Sequence, residues 1–176
     1  MSNPHSKTNV GVRFGLLTGL IYVLLLFLRY YLSSSNPIFI GVLAVISYLI
    51  ILMLFLFTGM ARRKELGGYG EIREIFQSIF IAILITELCY VIFNLIYFKY
   101  IDPAFWEKFR AASLTFMEKA GMAQHEIDER MKSLKDLGQQ TNPMGLIKGF
   151  GTSVVMDSIF GLIFAALLRK KRPLIT

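Results

Sequence analysis

Two carboxylic acids stand inside apolar sequence: Glu87, within the block Ile75 to Tyr97, and Asp157, within the block from about Gly145 to Leu168. Ionisable residues in a membrane span are costly, and they point to proton binding, ion passage or hydrogen bonding between helices. Glu87 is twelve residues from Ile75 and Asp157 eleven from Leu168, about 18 Å and about 16–17 Å along helices rising about 1.5 Å per residue. In antiparallel spans both acids therefore fall near the midplane at similar depth. Asn94 follows Glu87 by seven residues on the same helix face, and Ser153, Asp157 and Gly161 form an i, i+4 stripe. No Lys or Arg falls at that depth to pair with the acids, and a carboxyl in low dielectric without a cation is expected to keep its proton. The candidate polar site is thus Glu87, Asp157, Asn94 and Ser153. Its functional reading is a proton-binding pair or an ion path. Its structural reading is two neutral carboxyls bonded across helices to Asn94 or Ser153, at about 0.6–2 kcal/mol; four short spans favour this second reading.

Other chemistry is sparse. His5 and His125 are far apart and no cysteine accompanies them, so no metal-ligand spacing arises. The single cysteine, Cys89, lies in an apolar block, cannot form an intrachain disulfide and reads as a packing residue. HExxH, P-loop and GxSxG motifs are all missing, as is a Ser/His/Asp set. Gly149-Phe150-Gly151 precedes Thr152 where an intramembrane aspartyl protease would need Asp. No enzyme and no cofactor are expected.

The elements that must position the acids follow from composition. Of 176 residues, 55% are hydrophobic and only 18% charged, against about 25% charged in an average soluble domain. The apolar residues gather in four blocks, at about 12–32, 38–60, 75–97 and 145–168. Each is long enough for a bilayer core of about 30 Å, which needs about 20 helical residues. The second block has no charge. The fourth is the weakest span: Asp157 costs about 2.5–3.5 kcal/mol near its centre, offset by Phe, Ile, Leu and Val at about 0.3–0.6 each. The first resembles a signal peptide in its basic start (Lys7, Arg13), but its apolar run is too long and Arg29-Tyr30-Tyr31 reads as an interfacial anchor. Four spans, all α, are expected.

Net charge is +7, from 19 Lys and Arg against 12 Asp and Glu. The bases gather in the N-terminal tail, in the 61–74 loop (Arg62, Arg63, Lys64, Arg73) and in Arg169-Lys170-Lys171-Arg172. With four spans these lie on one face, so both termini are expected in the cytoplasm. The basic tail suits anionic lipid, and no nucleic acid is expected as a partner.

Residues 98–144 form a loop on the outer face. Asp102 and Pro103 predict a helix start, followed by an apolar stripe of Phe105, Phe109, Ala112, Phe116 and Ala120 up to Gly121. A second helix is predicted from about Gln124 to Leu137, with Ile127, Met131 and Leu134 on one face. Such stripes pack on the bundle or on lipid, with Trp106 at the interface, or dock a partner; Phe105, Trp106, Phe109 and Phe116 are the candidate interface. Gly11, Gly15 and Gly19 make overlapping GxxxG repeats and Gly145-Gly149 another, expected to pack spans together within the bundle. Lys148 is expected to snorkel.

Tyr69-Gly70-Glu71-Ile72, Phe93-Asn94-Leu95-Ile96-Tyr97, Ile101-Asp102-Pro103-Ala104-Phe105 and Met117-Glu118-Lys119-Ala120-Gly121-Met122 before Glu126-Ile127-Asp128 carry a resemblance. In this order they resemble an uncharacterised family of four-span bacterial membrane proteins, known only as a domain of unknown function and common in Bacteroidetes. The likeness runs from about Gly11 to Arg172. It implies an inner-membrane location and four spans, and it brings no activity, cofactor or catalytic residue. The expectation is a non-enzymatic envelope accessory or interaction subunit, meeting a membrane-protein partner or forming a homo-oligomer in the bilayer. The alternative is a small proton- or solute-translocating protein using Glu87 and Asp157.

Overall fold

A computed structural model describes residues 4–139 and 141–170, with side chains from Val10 onward. His5, Lys7, Lys171 and Arg172, named above, lie outside the described side chains. The fold is all-α: α1 Pro4–Ser33, α2 Ile38–Glu65, α3 Ile72–Ile96, α4 Phe105–Lys119, α5 Gln124–Gln139 and α6 Pro143–Leu168. A π-helical turn, Tyr97–Ile101, extends α3. Four segments are long and apolar enough to cross a membrane: Val10–Ser33, Ile38–Glu65, Ile72–Ile101 and Pro143–Leu168. The helices α4 and α5 form a hairpin between the third and fourth.

Two ends overrun the expected blocks for local reasons. Arg62, Arg63 and Lys64 occupy the last turn of α2, where the helix dipole favours cations, so that helix runs on to Glu65. At the start of α3, Glu71 and Glu74 form a reciprocal capping box, which satisfies backbone N–H groups that the first turn leaves orphaned. Between them Gly67 and Gly68 take φ of 79° and 87°, which glycine adopts without steric cost.

Three glycines of α1 let it approach α3 closely. A Cβ on Gly11 would stand 2.7 Å from the Ser78 carbonyl oxygen, on Gly15 2.9 Å from the Ala82 Cα, and on Gly19 2.7 Å from the Cys89 Sγ. The repeat packs spans within the bundle, as small-residue stripes do, and Cys89 is part of that seam. Gly149 differs: nothing stands within 4 Å of its Cβ position, so no neighbouring helix is seated on it. Gly161 instead fills that role in α6, with Ile79 at 3.1 Å.

The end of the bundle where α1 starts, α6 ends and the α2–α3 turn lies is filled by Ile51, Phe55, Ile75, Ile79, Ile83 and Ala165. Gly70 and Lys170 exchange backbone hydrogen bonds of 3.0 and 3.1 Å, tying the α2–α3 turn to the end of α6. At the opposite, hairpin end a second cluster gathers Leu26, Tyr30, Tyr97, Phe105 and Phe109.

The expected helix start at Asp102 and Pro103 is corrected. α4 begins at Phe105, with Ala104 at the cap. The Asp102 N–H instead closes the π-helical turn on the Tyr97 carbonyl at 2.9 Å, and its carbonyl accepts from Phe105 N. Its carboxylate takes Lys108 Nζ at 2.8 Å, so the side chain is not available to the helix terminus. α6 is capped by Asn142, whose Oδ1 accepts from Gly145 N at 2.7 Å, with Pro143 in the first turn, where its missing N–H costs nothing.

Candidate functional site in the bundle interior

The depth argument places Glu87 and Asp157 at one level, and the folded chain brings them face to face. Glu87 is 4% exposed and Asp157 3%. The two carboxyls lie close enough to interact electrostatically, and Ser153, one turn before Asp157 on α6, lines the same cavity. Tyr48 of α2 donates its hydroxyl to Asp157 Oδ1 at 3.1 Å, its ring set edge-on to Phe160. These groups share a small cavity of about 180 Å³ that Tyr22 of α1 also lines. No Lys or Arg is among its lining residues. All four spans contribute to this polar centre.

Asn94 is not part of it. Its Oδ1 accepts the Tyr30 hydroxyl at 2.5 Å and its Nδ2 donates to the Tyr90 carbonyl at 2.7 Å. Seven residues keep Asn94 on the Glu87 face but raise it about 10 Å along the helix, where Tyr30 of α1 is the partner in reach. The four polar residues therefore divide into a carboxyl site with Ser153 and an amide bound to Tyr30. Tyr48 and Tyr22 were not among the residues singled out in the sequence, and Tyr30 was read there only as part of an interfacial anchor. Tyr48 had one usable signal: it is the only tyrosine in the uncharged block 38–60, and a phenol in hydrocarbon needs a partner.

The four candidate interface aromatics also divide. Phe105 is fully buried and Phe109 2% exposed, their rings stacked at 5.8 Å, and Phe105 meets Tyr30 at 5.1 Å. Trp106 is half-buried and donates Nε1–H to Thr141 Oγ1 at 3.0 Å, joining α4 to the turn between α5 and α6. Only Phe116, at 41% exposed, faces outward. An open surface made of all four does not exist, because Tyr30 and Tyr97 draw the first two inward. Among the described residues no group of His, Cys, Asp and Glu could hold a metal ion.

Fold and site together define the class: a multi-pass membrane protein by helix length and composition, with a polar centre inside an α-helical bundle. The chain belongs to the family described as "Protein of unknown function (DUF4199)", which matches residues 13–170. No curated protein and no solved structure matches it.

Proposed function

We propose that this is a non-enzymatic protein of the bacterial inner membrane, termini in the cytoplasm, whose Glu87–Asp157 pair takes up and releases a proton. One observation carries the reading: two carboxyls face each other in a small cavity with hydroxyl partners and no lining cation. Like charges so close cannot both ionise, so such a pair holds at least one proton and can exchange it. Ser153 and Tyr48 supply hydroxyl groups, each both donor and acceptor, suited to either protonation state. The test is reconstitution of the full chain in liposomes holding a pH-sensitive dye, alongside Glu87→Gln and Asp157→Asn. Proton uptake by the parent chain, lost in both variants while they keep their helix content and melting temperature, supports the reading. Absent uptake in the parent chain, or equal uptake in all three, overturns it.

A second reading, an envelope accessory subunit, rests on a different observation. Exposed Phe116 borders an apolar groove of about 510 Å³ that runs from Met117 and Met122 to Pro37 in the α1–α2 turn. A partner that co-purifies in constant ratio, and is lost with Phe116→Asp, supports this reading.

A further inference from the structure

The hairpin end holds a second cavity, of about 380 Å³, within the range of about 300–1,000 Å³ that small ligands occupy. It lies among all four spans with α4 and α5 across it, and it adjoins the carboxyl cavity at Ser153, which lines both. Its walls are of two kinds. Ile40, Ala44, Leu134, Leu137 and Leu146 make an apolar part, and Arg29, Tyr30 and Tyr90 a polar one. Arg29 is its only cation, and no Asp or Glu lines it.

An arginine near a helix end ordinarily snorkels, its stem on apolar surface and its head in water. Arg29 is held otherwise. Its guanidinium lies over the Tyr30 ring, 5.1 Å from the centroid, and Nη2 donates only a long bond, 3.4 Å, to the Tyr30 hydroxyl. Its Nε is buried and donates to nothing. The Tyr30 hydroxyl is itself spent on Asn94. A guanidinium carries five N–H donors in a fork that matches carboxylate and phosphate, and this half-buried one has no carboxylate beside it in the cavity wall. Gly149, with open space about its Cβ position, keeps the α6 wall of the cavity clear.

We propose that this cavity binds a small anionic amphiphile, a carboxylate or phosphate head at Arg29 with an apolar body against Ile40, Leu134 and Leu146. The site is distinct from the carboxyl pair and stands whether or not that pair exchanges protons. Trp106 is the only tryptophan of the chain and lines the cavity, so its fluorescence reports occupancy directly. The full-length protein in a non-ionic detergent is titrated with octanoate, octyl phosphate and octanol. The two anions are expected to shift Trp106 emission saturably, with octanol about ten-fold or more weaker, the ratio a charge-assisted hydrogen bond supports. Arg29→Gln should weaken the anions by a similar factor and leave octanol unchanged, with Arg29→Lys intermediate. Native mass spectrometry of the protein as purified separates the sources. A retained anionic phospholipid that octanoate displaces names the lipid headgroup, and an empty protein that takes octanoate names a free acid. Equal response to anion and alcohol in the parent chain overturns the proposal even if Arg29→Gln fails to fold. So does an Arg29→Gln protein that folds and binds as the parent does.

Discussion

At the scale of single residues, Tyr30 shows why a phenol stands where a phenylalanine would pack equally well. Its ring joins Tyr97 and Phe105, and its hydroxyl serves Asn94, which would otherwise keep a buried acceptor without that donor. Tyr30→Phe should therefore lower stability by about 0.6–2 kcal/mol. A double-mutant cycle with Asn94→Leu in thermal melts should recover a coupling of that size; strictly additive effects would mean the two do not depend on each other. The sequence pattern allied Asn94 with Glu87 because a seven-residue spacing reports the face of a helix. It does not report which neighbouring helix offers a partner at each depth. The meeting of Glu87 with Asp157 was legible for the complementary reason: distance from a helix end is depth, and depth is shared by antiparallel neighbours.

At the scale of elements, the two glycine repeats look alike in sequence and differ in the fold. Gly15→Leu should disrupt the α1–α3 seam, since its Cβ alone would press on the Ala82 Cα; overpacking of this kind costs about 1–3 kcal/mol. Gly41→Ala, with nothing within 4 Å, should leave the melting temperature in detergent unchanged or slightly raised. A GxxxG spacing marks a smooth surface; whether a helix lies on it depends on the partner's position, which no local pattern contains. The hairpin offers a parallel contrast. Phe105→Ala should cost about 3–5 kcal/mol, as truncation of a buried aromatic does, and Phe116→Ala less than about 0.5 kcal/mol. Similar losses at both positions would mean that the hairpin does not pack on the bundle as described. Periodicity made Phe105 and Phe109 of the α4 stripe legible but not the rest: the buried face runs on through Ser113 and Met117, while Phe116 and Ala120 are exposed. The helix start was not legible either, because Asp102 serves the π-helical turn and Lys108 instead of a helix cap.

At the scale of the whole molecule, four spans with termini on one face make a labelling prediction. Cys89 is the only cysteine and is engaged with Gly19, so Cys89→Ser supplies a blank background. In intact cells Lys132→Cys should react with an impermeant maleimide, and Lys64→Cys only after the membrane is opened. The reverse pattern would invert the orientation read from the basic residues. Those blocks were legible because the bilayer imposes length and hydrophobicity directly on sequence, whereas the pairing between Gly70 and Lys170 left no trace there, being made by backbone alone. That pairing has a consequence for assembly. Its two sides are separated in the chain by α3, the hairpin and α6, so it can close only after the last and least hydrophobically favoured span has crossed. Asp157 makes that crossing hard, yet its partners Glu87 and Tyr48 are waiting on helices already inserted. The Gly70–Lys170 pairing thus coexists with an α6 already seated beside Glu87 and Tyr48, and marks a chain whose last span is in place.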